Sequence, residues 1–436
     1  MIASDNKDDC VILIIVLGHF SIIRGGIMIA NNNKSIQHDR TGSYITQIGG
    51  YKAFIPKSLP PDPPIRLDGE LLQLLSQANI ALGRLDGASE ILPNADLFVA
   101  MYVHKEAVLS SQIEGTQASL LDVLAFESDA ALPENPQDIE EVVNYINALN
   151  YGLRRLDILP LSLRLIREIH ERLLAGVRGA NRNPGEFRTS QNWIGHQGCT
   201  LETAMFVPPP VTDMYTALDN IESFLHSEKT MPVLLKAGIV HAQFETVHPF
   251  LDGNGRVGRL LITFLLCHEH VLKRPLLYLS HFFKLNKLEY YEYLQKVRDE
   301  GDWESWLKFF LRGVYEVAQE ATITARKIVQ LREHHRDVIT KNMPRSAGNA
   351  HNLLEHLYIR PVITVNGAAV ATGLSYANAN KLVMKFQKLG ILREMTRSQR
   401  NRRFIYSEYT SMFADDEISE TEPEKISEGD MAQSAT

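Results

Sequence analysis

Within the run His248-Pro249-Phe250-Leu251-Asp252-Gly253-Asn254-Gly255-Arg256-Val257-Gly258-Arg259 stand a base, a carboxylate, two flexible glycines and two guanidiniums. His248 titrates near neutrality and can accept a hydroxyl proton. Asp252 offers one hard oxygen of the kind Mg²⁺ takes when phosphates and water complete its shell. Arg256 and Arg259, three apart, share a helix face and present planar forks suited to phosphate oxygens. Gly253 and Gly255 let successive backbone N–H groups turn toward one point, where the positive end of a following helix also aims. The chemistry this predicts is binding of a phosphorylated anion beside a general base.

Three nucleotide-binding patterns compete for this stretch, and spacing separates them. Gly253, Gly255 and Gly258 formally match GxGxxG, but a dinucleotide fold needs a preceding strand, and here a helix precedes. A phosphate loop ending in Gly-Lys-Ser/Thr is absent. What remains is a loop between two helices. The first is predicted over residues 232–244, because Pro232 suits a first turn and Leu234, Ala237, His241 and Phe244 recur at helical spacing. Pro249 pushes His248 out of the right-handed helical region, which places the imidazole on an extended corner. The second helix runs over residues 256–266.

These residues satisfy H-x-F-x-[D/E]-G-N-G-R-x-x-R, the signature of the Fic family, which the chain resembles over roughly residues 40 to 315. The resemblance implies transfer of a nucleoside monophosphate, usually AMP from ATP, to a Ser, Thr or Tyr hydroxyl of a protein target or of the enzyme itself. It makes His248 the general base and Asp252 the Mg²⁺ ligand. Gly253 to Gly255 become the phosphate nest, Arg256 and Arg259 the phosphate clamps, and Phe250 the packing anchor. Nucleotide contacts are expected along Gln243, His248, Pro249, Phe250, Leu251, Asp252, Gly253, Asn254, Gly255, Arg256 and Arg259, and at Asn286. Asn286 lies in a segment, residues 284–291, that resembles the one closing over the base. Its amide can meet adenine with a donor and an acceptor. Tyr290 and Tyr291 read equally as nucleotide contacts or as packed aromatics.

A second stretch, Ser110-Ser111-Gln112-Ile113-Glu114-Gly115, ends a helix predicted over residues 96–114, with Gly115 just beyond its C-terminus. Ser110 and Glu114 are four apart and share a face. A carboxylate in the last turn opposes the helix dipole unless a cation meets it. Beside the Fic motif the stretch resembles the family's inhibitory motif, [S/T]-x-x-x-[E/D]-[G/N], and the cation it implies is Arg259.

Around these stretches the chain reads as mainly α: a Fic-type helical core with a β-hairpin flap, plus a C-terminal winged-helix domain. Residues 1–40 are expected to be disordered or a spurious extension, with translation starting at Met28. Residues 41–135 form an N-terminal helical region carrying the inhibitory helix, which follows a short strand at residues 44–46 and a Pro-rich arm at 59–64. Residues 136–315 form the catalytic core, 316–344 a helical linker between two long helices and the tail, 345–410 the winged helix, and 411–436 an acidic disordered tail. The flap is read from Trp193-Ile194, a turn, and Met205-Phe206-Val207; in Fic proteins such a flap holds the target as an added strand. His170, on an apolar helix stripe, reads as a satisfied core histidine.

With 436 residues, 44% hydrophobic and 22% charged, the chain has ample core for two or three domains, and its net charge of −7 argues against generic nucleic-acid coating. Cys10, Cys199 and Cys267 lie far apart without metal spacing, which suits a reduced cytoplasm. Val11 to Leu17 is apolar but too short for a membrane span, so no membrane association is expected. Residues 375–406 carry eight Lys or Arg against one Glu, while residues 415–430 carry eight acidic residues against one Lys. The former is a phosphate-binding face or a protein-contact surface, so DNA or protein is the expected partner there. Two other functions stay open: a nucleotide-sensing DNA-binding regulator, and a Fic enzyme that uses another nucleotide or removes AMP. The intact His248 favours the enzyme over the sensor. Oligomeric state is open, a homodimer included.

Overall fold

The computed structural model describes residues 11–12, 40–90, 95–128, 135–196, 198–227, 229–396 and 402–413. The expectations for the N-terminal extension and the acidic tail therefore fall almost wholly outside the described residues. A two-residue strand, β1 (Val11–Ile12), pairs in parallel with residues 194–195.

The first surprise is a hairpin where one strand is expected. β2 (Gly42–Thr46) pairs antiparallel with β3 (Lys52–Pro56). Arg40, assigned from sequence to the dispensable extension, is instead buried, with Nη1 2.9 Å from Glu304 Oε2 and Nε donating to the Pro63 carbonyl at 2.9 Å. A guanidinium so paired anchors the Pro-rich arm to the core.

Six helices follow before the flap and after it: α1 (Gly69–Glu90), α2 (Ala95–Ile113), α3 (Leu120–Glu127), α4 (Pro136–Leu156), α5 (Leu163–Leu173) and, beyond β4 (Ile194–Gly195), α6 (Val211–Ser227). α3 is unexpected, yet it carries a start signal in the sequence: Ser119 and Asp122 form a capping box, each accepting from the other's backbone N–H. At the centre lie α7 (Val233–Val247) and α8 (Asn254–His268). Every residue of α7 from Leu234 to Val247 is buried, as befits a helix apolar on most sides. α8 packs against α7, α4, α5 and α2, so the helix bearing both arginines is enclosed by the elements that supply their partners.

Next come α9 (Ser280–Leu285), α10 (Lys287–Glu300) and α11 (Trp303–Asn342). The sequence reading broke α11 into two helices, but it runs unbroken for 40 residues, about 60 Å at 1.5 Å per residue. Gly313 does not interrupt it; it admits the Phe282 ring, which a Cβ there would meet at 2.5 Å. The supposed linker is buried along Val317, Ala318, Ala321, Ala325 and Ile328, in a helix that packs along α1. It is therefore a packed helix, not a free spacer.

The chain then forms α12 (Ala347–Ile359), β5 (Val362–Thr364), α13 (Val365–Thr372), α14 (Tyr376–Lys388), β6 (Arg393–Glu394), β7 (Arg403–Ile405) and α15 (Ser407–Thr410). The three strands pair antiparallel in the order β5-β7-β6. β5 is an element the sequence reading missed, being three residues long. The first residues assigned to the tail are not all loose: Phe413 is buried with its ring 5.1 Å from that of Tyr102 on α2.

Candidate functional site

The site begins where α7 ends. His248 has φ 47° and ψ 60°, a left-handed conformation that differs from the extended corner expected. Pro249 excludes the right-handed region but leaves this one, and the His248 N–H then donates back to the Phe244 carbonyl at 2.9 Å, closing the helix. Left-handed backbone is costly for a residue other than glycine, by about 1–3 kcal/mol, so surrounding bonds must hold it.

Those bonds come from residues the sequence reading passed over. Arg188, buried in the loop before the flap, donates through Nε to the His248 carbonyl at 3.1 Å and through its backbone N–H to the Pro249 carbonyl at 2.9 Å. Burial lowers its guanidinium to about 10. The Asn192 amide donates to the carbonyls of His248 (3.1 Å) and Phe250 (2.9 Å). His170 Nδ1 accepts from the Gly185 N–H at 2.9 Å, so Nε2 carries the proton it donates to the Asp252 carbonyl at 3.0 Å. Burial lowers His170 to about 4, which keeps it neutral in this role, stacked 3.7 Å from the Phe250 ring. It is a satisfied core histidine and a brace of the motif loop.

Several residues expected to touch nucleotide do other work. Phe250 is fully buried and anchors the loop. The Asn254 side chain is used within the loop, bonding the Phe250 N–H and carbonyl, both at 2.8 Å, so toward an anion it presents only backbone. Pro249, buried and without an N–H, has no donor to give. Gln243 is turned to the N-terminal arm, its amide donating to the Lys57 carbonyl at 2.9 Å. Asn286 donates to the Phe282 carbonyl at 2.9 Å, leaving its amide oxygen as the free end. Tyr290 is core: it is buried and its hydroxyl donates to His241 Nε2 at 2.8 Å.

The cradle itself is formed by Gly253, left-handed at φ 78°, and the first turn of α8. Leu251 and Asp252 at its rim are half-exposed. Arg256 Nη1 lies 2.9 Å from Glu141 Oε2 and Nη2 3.5 Å from Asp252 Oδ1. Arg259 donates through Nε to Ser110 Oγ at 2.8 Å, and through Nη2 to the Ser110 carbonyl at 2.9 Å and to Glu114 Oε1 at 2.7 Å. The Glu114 carboxylate lies against Gly255: a Cβ built there would stand 2.2 Å from Oε1. Glu114 thus sits on the backbone of the nest. Burial raises its pKa, but Arg259, then Arg256 and Lys287, outweigh this and hold it below the ordinary range.

Both ring nitrogens of His248 are buried without a hydrogen-bond partner. Burial, then Arg298 and Arg188, lowers the imidazole to about 3, so it is neutral and available at pH 7. Two further buried carboxylates escaped the sequence reading, both pushed by burial up to about 7: Glu106, which accepts from Ser280 and Tyr145, and Glu245, one turn before His248. Nothing in the local pattern marks them, although Gly258 leaves the room that Glu245 fills.

The flap is slighter than expected, a single bridge between Ile194 and Phe206. It is braced from behind, with the Phe54 N–H of β3 donating to the Val207 carbonyl at 2.9 Å and the Arg298 guanidinium 4.0 Å from the Phe206 ring centroid.

Residues 72–154 match the family model described as Fic/DOC family N-terminal, and residues 160–266 the one described as Fic/DOC family. The protein adenylyltransferase Fic of Aedes aegypti is 28% identical over 251 residues, 56% of this chain and 46% of that protein. The protein of the same name from Culex quinquefasciatus is 30% identical over 173 residues, 39% of this chain and 30% of that protein. The chain thus spans less than half the length of these curated relatives. A crystal structure of a Fic family protein from Desulfovibrio desulfuricans G20 superposes with a TM-score of 0.52 at 18% identity, covering 79% of this chain and 97% of that one, a likeness of fold. With the complete motif folded into a loop between two buried helices, the chain is similar, through residues 72–154 and 160–266, to the Fic/DOC family.

Proposed function

We propose that the protein is an adenylyltransferase that moves AMP from ATP to a Ser, Thr or Tyr hydroxyl, and that Glu114 holds it in check. The observation that carries this is the cradle with a neutral, unpartnered His248 on one side and the Glu114 carboxylate lying in it on the other. The hydroxyl gives its proton to a His248 ring nitrogen while its oxygen bonds to the α-phosphorus. The bond from that phosphorus to the bridging oxygen breaks, and pyrophosphate leaves with the electron pair. The N–H groups of the nest and the Arg259 fork hold the departing charge. Burial of His248 lowers its basicity; an arriving polyanion raises it again, because a nearby negative charge favours the protonated ring.

A carboxylate at Glu114 competes with phosphate for Arg259 and repels it, so transfer awaits its withdrawal. A Mg²⁺ ion fits Asp252, a half-exposed single carboxylate at the cradle rim, where it would neutralise phosphate charge. The relatives named protein adenylyltransferase support the choice of AMP. The test is the intact mass of the purified chain and of candidate targets after incubation with each of the four nucleoside triphosphates. A gain of one AMP with ATP supports the reading, and a gain only with another nucleotide replaces it.

The C-terminal module has the element order of a winged helix: α12, β5, α13, turn, α14, β6, β7. Lys381, Lys385 and Lys388 are exposed at spacings of four and three along α14, a cationic stripe suited to a phosphate backbone. Of the eight Lys or Arg in residues 375–406, Arg400 lies outside the described residues, and Arg402 is paired with Glu394 at 2.8 Å. Retardation of duplex DNA at low salt, lost on replacing the three lysines, is the expected result; without retardation the partner is protein. A reducing cytoplasm suits Cys199 and Cys267, which form no disulfide among the described residues, where no helix is long and apolar enough to cross a membrane.

A further inference from the structure

The last carbonyls of a helix have no partner within it and attract cations. At the end of α2 that partner is Lys287, whose Nζ donates to the Ile113 carbonyl at 2.7 Å. Lys287 is half-buried and is the first residue of α10, in the segment carrying Asn286. Its charge also adds to those of Arg259 and Arg256 in keeping Glu114 ionised.

Two cations therefore converge on one turn from different elements. Arg259, from α8, takes the Glu114 side chain and the Ser110 carbonyl; Lys287, from α10, takes the carbonyl of Ile113, the residue just before Glu114. The division matters because Glu114 sits at the negative end of α2, where the helix field opposes its carboxylate. Lys287 neutralises that end. Without it, Glu114 is held only by Arg259, itself braced by Ser110, against a repulsive terminus, and the turn withdraws more readily.

We propose that Lys287 is a positioning residue for inhibition, a second latch that keeps Glu114 in the cradle by fixing the end of α2. The inference rests on the autoinhibitory reading of Glu114 given above. Lys287 lies in the segment expected to cover the nucleotide base, so the same element that receives the nucleotide holds the turn that opposes it.

The full chain carrying Lys287→Met or Lys287→Arg, each alone and with Glu114→Gly, is incubated with ATP labelled in the α-phosphate, and self-incorporation is measured. Amide exchange of residues 110–116 is followed in parallel without nucleotide. Loss of one charged hydrogen bond shifts the closed turn by about tenfold, so Lys287→Met raises incorporation by up to about tenfold and speeds exchange at 110–116. Lys287→Arg, which keeps the charge, stays near wild type. In the Glu114→Gly background Lys287→Met adds nothing, since no carboxylate remains to be positioned. A folded Lys287→Met chain with unchanged incorporation and exchange overturns the proposal. So does an equal rise, or a fall, in both backgrounds, which would make Lys287 a direct nucleotide contact or a general stabiliser. If Glu114→Gly itself leaves incorporation unchanged, the autoinhibitory reading fails; if it raises incorporation while Lys287→Met does not, only the second latch fails. Lys287→Gln serves if methionine at this half-exposed position impairs folding.

Discussion

Arg256 and Arg259 stand three residues apart on α8, and each is buried against a carboxylate from another helix, but the two carboxylates are held in different ways. Glu141 comes from the interior of α4; its side chain is 2% exposed and is shared by Arg256 and Arg178. Glu114 follows the last residue of α2, on a turn, with its side chain 20% exposed. Withdrawing Glu141 would leave a buried guanidinium within packed helices with only its 3.5 Å contact to Asp252. Withdrawing Glu114 requires only that a helix terminus and its turn move aside. The same ion-pair chemistry thus gives a wall in one place and, on the function proposed, a latch in the other, and the difference lies in where along its helix each acid sits.

The largest expected effect leaves both pairs intact. His248→Ala should lower AMP incorporation by about 10² to 10⁴, the usual worth of a general base, while ATP affinity and melting temperature stay near wild type. Near-normal transfer would remove His248 from the chemistry. Glu141→Ala tests the wall: stranding the Arg256 guanidinium should cost about 3–5 kcal/mol in urea unfolding, and transfer should fall even in a Glu114→Gly background. An undiminished unfolding midpoint would show the two acids to be equivalent.

Glu114→Gly tests the latch. Realigning the α-phosphate by about 1 Å is worth up to about a hundredfold, so incorporation should rise by about that factor with little change in melting temperature, and Arg259→Ala should cancel the rise. A folded Glu114→Gly chain with unchanged or reduced incorporation sinks the inhibitory role.

The smallest effect separates the pairs by their response to pH. Arg259 outweighs burial at Glu114 and holds its pKa below the ordinary 4.5, so the bond's contribution is complete above that value and is lost only as pH falls through the lower folded value. The melting difference between wild type and Glu114→Gln should therefore stay constant from about pH 8 to about pH 5. At Glu141 burial prevails and the pKa is raised above 4.5, so its ionised form carries the penalty, and stability is lost as pH rises through the folded value. The corresponding difference for Glu141→Gln should drift as pH rises above 4.5, in the sense that wild type loses ground with rising pH. Parallel, flat curves for both variants would remove the distinction.

Much of this site was legible before any coordinates. The spacing of Ser110 and Glu114 put both on one face, and both bond Arg259. The corner at His248 was foreseen, although its left-handed form was not, because proline excludes one backbone region without choosing between the others. Helix centres were legible from apolar period, whereas the three-residue β5, the eight-residue α3 and the unbroken course of α11 were not. Short elements carry too few residues for a period to show, and nothing along the chain reveals that Gly313 is a packing place for the Phe282 ring.

The sequence by itself determined what depends on neighbours along the chain: the base, carboxylate, glycine and arginine spacing, the turn forced by Pro249, and a helix opening toward an anion. These follow from local dihedral limits and helix geometry, which few residues suffice to set. Only the tertiary structure decided who meets whom. Glu141 takes Arg256 from 115 residues upstream, Arg188 and Asn192 tie down the backbone of His248, Gln243 turns to the arm instead of the nucleotide, and Lys287 caps the helix that carries Glu114. Such partners are chosen by how buried helices pack, because a charge or amide removed from water must pair with whatever packing brings within reach, however distant in sequence.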